Sequence, residues 1–128
     1  MKKNSDVAQD WLKKAESEFA TVELCINNVT GLDAACFHAQ QAAEKSLKAW
    51  LINHDNPFPK THNLEELLGL CAALEPEFKN FLSEAQSLEP YAVKERYAAD
   101  FWPSLDETRI ALEQARRIYD CVKSHWDK

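Results

Sequence analysis

Glycine is scarce in this sequence, two residues among 128, and proline occurs only five times. So little turn material excludes a fold of many short strands, each of which needs a tight reversal. Positive charge is also in deficit: 15 Lys and Arg against 21 Asp and Glu give a net charge of −6, a field that repels a phosphate backbone. Nonspecific nucleic-acid binding is therefore excluded unless Lys45, Lys48, Lys60, Lys94 and Arg96 gather locally. Cys25, Cys36, Cys71 and Cys121 lie far apart in apolar-patterned stretches and contain no Cys-x-x-Cys pair. They are expected to be buried thiols of a reducing compartment, not a metal site. No run of about 20 apolar residues exists to cross a bilayer, and Met-Lys-Lys-Asn-Ser-Asp leads into a charged amphipathic segment where a secreted protein has an apolar leader. A cytoplasmic location without membrane contact is expected.

What is abundant is Ala, Leu, Glu, Lys and Gln, the helix formers. The fold class is all-α: one domain over residues 1–128, large enough for a single core without metal or disulfide. Ala8, Trp11, Leu12, Ala15, Phe19, Val22, Cys25, Ile26 and Val29 recur at helical spacing and predict a first helix over Ser5 to Val29. Gly31 suits a left-handed helix end and Asp33 a cap for the helix that follows, which runs to about Asn53. Pro57 and Pro59 mark the main loop. Asn63 with Glu66 caps a short third helix, a fourth begins near Pro76, and Pro90 opens a separate short helix over Tyr91 to Tyr97. Ser104 with Glu107 forms a capping box for the last helix, whose Leu105, Thr108, Leu112, Ala115, Tyr119, Val122 and Trp126 make a lengthwise seam.

The second helix is the most informative. At about 100° per residue, Phe37, Gln41, Glu44, Lys48 and Leu51 share one stripe, flanked by His38 and Lys45. A purely structural stripe would be apolar. The other side carries Ala35, Ala39, Ala42, Ala43, Ser46 and Ala49, small enough for a neighbouring helix to approach closely, so the polar stripe predicts a groove or an interface.

Four blocks together carry a family resemblance. They are Trp11-Leu12-Lys13-Lys14-Ala15-Glu16, the run from Ala35 to Ala49, Lys60-Thr61-His62-Asn63-Leu64, and the pair Arg96-Tyr97. In this order and spacing they resemble the HEPN domain (higher eukaryote and prokaryote nucleotide-binding) along essentially the whole chain. The resemblance implies an up-and-down four-helix bundle with an additional short helix, a homodimer, and a minimal nucleotidyltransferase as partner, often as a toxin and antitoxin pair. It also implies that an active ribonuclease carries an Arg and a His with four to six residues between them. Here Phe101, Trp102 and Pro103 stand where that His belongs after Arg96, so the ribonuclease motif is absent, which weighs against enzyme activity without excluding it.

His38, Gln41, Glu44, Lys45, Lys48, Lys60, His62, Arg96 and Tyr97 are accordingly the candidate groove or nucleotide-binding residues. ATP or GTP is the candidate small ligand, and no cofactor or metal is expected. Glu44 and Lys48 are also spaced for a surface ion pair. Lys60, Thr61 and His62 precede a helix start, where amide groups hold anions, though capping by Thr61, His62 or Asn63 explains them as well. Arg96 offers a phosphate fork and also a bridge to Glu44. Tyr91, Phe101 and Trp102 read as core or dimer-interface aromatics. The alternative reading is a metal-independent, RNA-cleaving toxin in which Arg96 works with His38 or His62, since such cleavage needs an imidazole to move protons near neutral pH.

Overall fold

The structure is a computed structural model that describes residues 3–127, with residues 95–97 described by their backbone alone. Six α-helices and one 3₁₀ segment follow in order: α1 (Asn4–Asn28), α2 (Leu32–Asn53), α3 (Leu64–Leu74), the 3₁₀ segment (Pro76–Phe81), α4 (Leu82–Leu88), α5 (Tyr91–Tyr97) and α6 (Leu105–Ser124). No strand occurs among the described residues, and no described helix is long and apolar enough to cross a membrane.

The first helix buries Ala8, Leu12, Ala15, Phe19, Val22 and Ile26, one stripe at three- and four-residue intervals. Its end differs from expectation. Val29 itself adopts the left-handed conformation at φ 47°, and Gly31, at φ 59°, is the residue before α2. Asp33 lies inside the first turn of α2 and does not cap it. The N-cap position is Gly31 itself, which has no side chain to cap with.

Helix α2 is the centre of the molecule. It packs along α1 and also meets α3, α4, α5 and α6. Its alanines are buried as expected, and so are Gln40, Glu44 and Lys48, so the helix is enclosed on more than its small-residue side. Asn63 caps α3 by accepting from the Glu66 amide at 2.8 Å. Beyond Pro76 the chain winds first as a 3₁₀ segment and only then as α4, a refinement of the single fourth helix expected there. Ser104 and Glu107 form the predicted capping box. Along α6 the buried positions are Thr108, Ala111, Ala115, Ile118, Cys121 and Val122, while Leu105, Leu112, Tyr119 and Trp126 are partly buried beside them. The ends of α2 and α6 are tied together, because the buried Trp50 donates through Nε1 to the His125 carbonyl at 3.0 Å and Asn53 donates to the Trp126 carbonyl at 2.8 Å.

Candidate functional site

The polar groups of α2 separate into two clusters, each built round one carboxylate. In the first, Glu18 of α1 reaches across the helix pair, its Oε2 2.8 Å from His38 Nδ1 and its Oε1 3.1 Å from Lys45 Nζ. In the second, Glu44 is the hub. Its Oε2 lies 3.1 Å from Lys48 Nζ and 3.0 Å from His62 Nδ1, and its Oε1 accepts from Gln40 at 3.4 Å. Gln41 in turn donates to Gln40 at 2.7 Å.

Helix spacing places Glu44 and Lys48 one turn apart, but they are not on a solvated face. Their side chains are 3% and 9% exposed. The surface ion pair open in the sequence is thus a nearly buried one, where charges persist only because each is paired. Lys48 also lies 5.7 Å from the centre of the Trp11 ring and 6.0 Å from that of Phe58, so aromatic faces complete its surroundings. His62 is different. It is 76% exposed, so a buried carboxylate holds one ring nitrogen while the ring faces solvent.

An anion site at the start of α3 is not what the structure builds. The Leu64 amide donates to Glu89 Oε2 at 2.6 Å, and the Glu66 amide is taken by Asn63. The chain fills the helix start with its own carboxylate, and burial together with Glu44 and Glu65 nearby raises the Glu89 pKa despite that hydrogen bond. Thr61 donates to Glu66 and accepts from the Asn63 amide, which makes it part of the cap. Lys60 is exposed in the preceding loop.

Arg96 and Tyr97 sit on α5, which packs against α2, but their side chains lie outside the described residues, as does the Arg96 to Glu44 bridge. Of the surrounding aromatics, Tyr91 and Phe101 are half-buried against the core with ring centres 5.7 Å apart. Trp102 departs from them at 77% exposure.

Glu18 is the residue the sequence reading missed. Trp11, Lys14 and Glu18 follow at three and four residue steps, a stripe beside the apolar one, and that spacing was the available signal. Asp10, Trp11 and Lys14 line a shallow cavity of about 360 Å³ with Lys45 of α2. Cys36 and Cys71 are buried free thiols whose pKa values burial raises, whereas Cys25 is only half-buried. Cys121 is a buried free thiol as expected, and its Sγ faces Glu77 and His125.

A central helix with buried, carboxylate-matched polar groups, packed along α1 and against α5 and α6, defines an all-helical bundle domain. The model of the HEPN domain family matches residues 8–125, and the chain belongs to that family. Its fold is similar to that of the archaeal HEPN homologue ST0689, with a TM-score of 0.75 and 22% identity over 99% of this chain and 100% of that one. It is likewise similar to TT1696 from Thermus thermophilus, with a TM-score of 0.75 and 25% identity over 91% of this chain and 96% of that one. No curated protein matches the sequence.

Proposed function

We propose that this chain is a HEPN-domain interaction module, a homodimer that pairs with a minimal nucleotidyltransferase in the manner of a toxin and antitoxin pair and binds ATP or GTP beside α2. The observation that carries this reading is the internal matching of charge. Lys45 and His38 are matched by Glu18, Lys48 and His62 by Glu44. Lysines neutralised in this way do not supply the counter-charge that an RNA backbone requires, least of all in a chain of net charge −6. Val93, Trp102 and Ile110 are large apolar side chains exposed on this chain, available for a protein partner to cover.

For the nucleotide, the cavity beside Trp11 offers an aromatic face, with Lys14 at hand for phosphate. Titration calorimetry with ATP and with GTP tests this part. Binding that weakens at least tenfold in Lys14→Ala supports it, and an absence of heat with both nucleotides removes it.

One observation favours the second reading, an RNA-cleaving toxin. A buried carboxylate fixes Nδ1 of the exposed His62, which leaves Nε2 toward solvent, as a general base requires. That reading predicts growth arrest on expression, relieved by Arg96→Ala and by His62→Ala. Harmless expression with intact cellular RNA disposes of it.

A further inference from the structure

Away from the α2 clusters, the last turns of α6 bring together three side chains of the kinds that bind transition metals. Cys121 and His125 are one helical turn apart and face Glu77 of the 3₁₀ segment, with the ligand atoms all within 4.8 Å of one another. His125 Nε2 is 2.9 Å from Glu77 Oε2, and Cys121 Sγ is 3.7 Å from the same oxygen. Around a tetrahedral zinc, with bonds of about 2.0 Å to nitrogen and oxygen and 2.3 Å to sulfur, ligand atoms stand roughly 3.2–3.6 Å apart. The two distances bracket that range.

Hydrogen bonds to Glu77 account for both of these contacts but leave the second nitrogen of the imidazole unexplained. The His125 side chain is nine-tenths buried, and its Nδ1 has no hydrogen-bond partner among the described residues. On that side of the ring stands Glu75, whose Oε2 is 3.7 Å from Nδ1, just beyond hydrogen-bond reach. An imidazole that binds a metal through one nitrogen donates its other N–H to such a carboxylate, which fixes the tautomer and the ring. A small rotation of His125 toward a metal would give the orphaned nitrogen this role.

We propose that Glu77, Cys121 and His125 bind one zinc ion, with Glu75 as the positioning carboxylate behind His125 and water in the fourth position on the exposed side of Glu77. A mixed set of sulfur, nitrogen and oxygen donors selects zinc over magnesium or calcium, which take oxygen alone. Binding releases the Cys121 thiol proton to solvent, so that a thiolate meets the metal. The ion clips the 3₁₀ segment to the end of α6, beside the contact of Phe78 with Trp50.

The test uses the full chain, stripped with a chelator and returned to one equivalent of zinc chloride. One tightly held zinc per chain and a melting temperature that rises with zinc are expected, and both are lost in Cys121→Ser. Glu75→Gln retains the stoichiometry and weakens affinity about 10–100-fold. Cobalt substituted for zinc gives a thiolate-to-cobalt charge-transfer band, unchanged in Cys25→Ser and absent in Cys121→Ser. Zinc held equally by Cys121→Ser is adventitious surface binding and overturns the proposal. If that variant does not fold, a cobalt-loaded parent chain without the thiolate band overturns it just as directly.

Discussion

Glu44, at 3% exposure, serves Gln40, Lys48 and His62 at once, and removing its one buried cation leaves it uncompensated. Lys48→Met is expected to lower the unfolding free energy by roughly 3–5 kcal/mol, the usual consequence of stranding a buried charge. The double variant Glu44→Gln/Lys48→Met recovers much of that loss, as denaturant titration of the three proteins will show. Glu89 carries the opposite lesson. Its folded-state pKa is raised, so the folded chain holds the Glu89 proton more tightly than the unfolded chain does. Stability from this group is therefore present below the ordinary value near 4.5 and is lost as pH rises from there through the raised value. Glu89→Gln still accepts from the Leu64 amide without the charge. Relative to this variant, the parent chain should lose stability as pH rises through that window, measured as the difference between two unfolding profiles. Neither effect was legible in the sequence, because the spacing of Glu44 and Lys48 fixes that they meet but not what covers them. Glu18, from another helix, has no local signature at all beyond its place on a stripe.

Among elements, what could be read were the helices with explicit ends. The capping boxes and caps are local chemistry, and Asn63 and Ser104 are where the sequence puts them. Ser104→Ala should cost about 1 kcal/mol, in the usual range for losing such a cap, with a corresponding fall in melting temperature. The link between α1 and α2 was harder, since both Val29 and Gly31 take positive φ and only glycine announces it. A β-branched residue in the left-handed region pays about 1–2 kcal/mol, and Val29 is exposed, with little packing to lose. Val29→Gly should therefore raise stability, by up to about 1 kcal/mol once the extra freedom of glycine in the unfolded chain is deducted. The change from 3₁₀ to α winding at Phe81 and Leu82 was not legible for a different reason, because it depends on how Phe78 enters the core. Cys121 and His125 stand one turn apart, a spacing the sequence reading passed over, and their third partner comes from that same 3₁₀ segment.

At the scale of the whole molecule, α2 is enclosed by its neighbours, and its charges are balanced inside the bundle. Buried, matched charges define register and leave the outer faces to make contacts. The four sequence blocks could show the family because their order is a property of the whole chain, as the match over residues 8–125 bears out. They could not show whether the α2 groups form one cleft. The described groups form two hydrogen-bonded clusters, one round Glu18 and one round Glu44, and the side chain of Arg96 lies outside the described residues. Sedimentation velocity, on the chain alone and mixed with a minimal nucleotidyltransferase from the same genome, tests the interaction role most directly. A dimer that shifts entirely into a larger complex on mixing is the predicted result, and a monomer that sediments unchanged beside the added protein contradicts it.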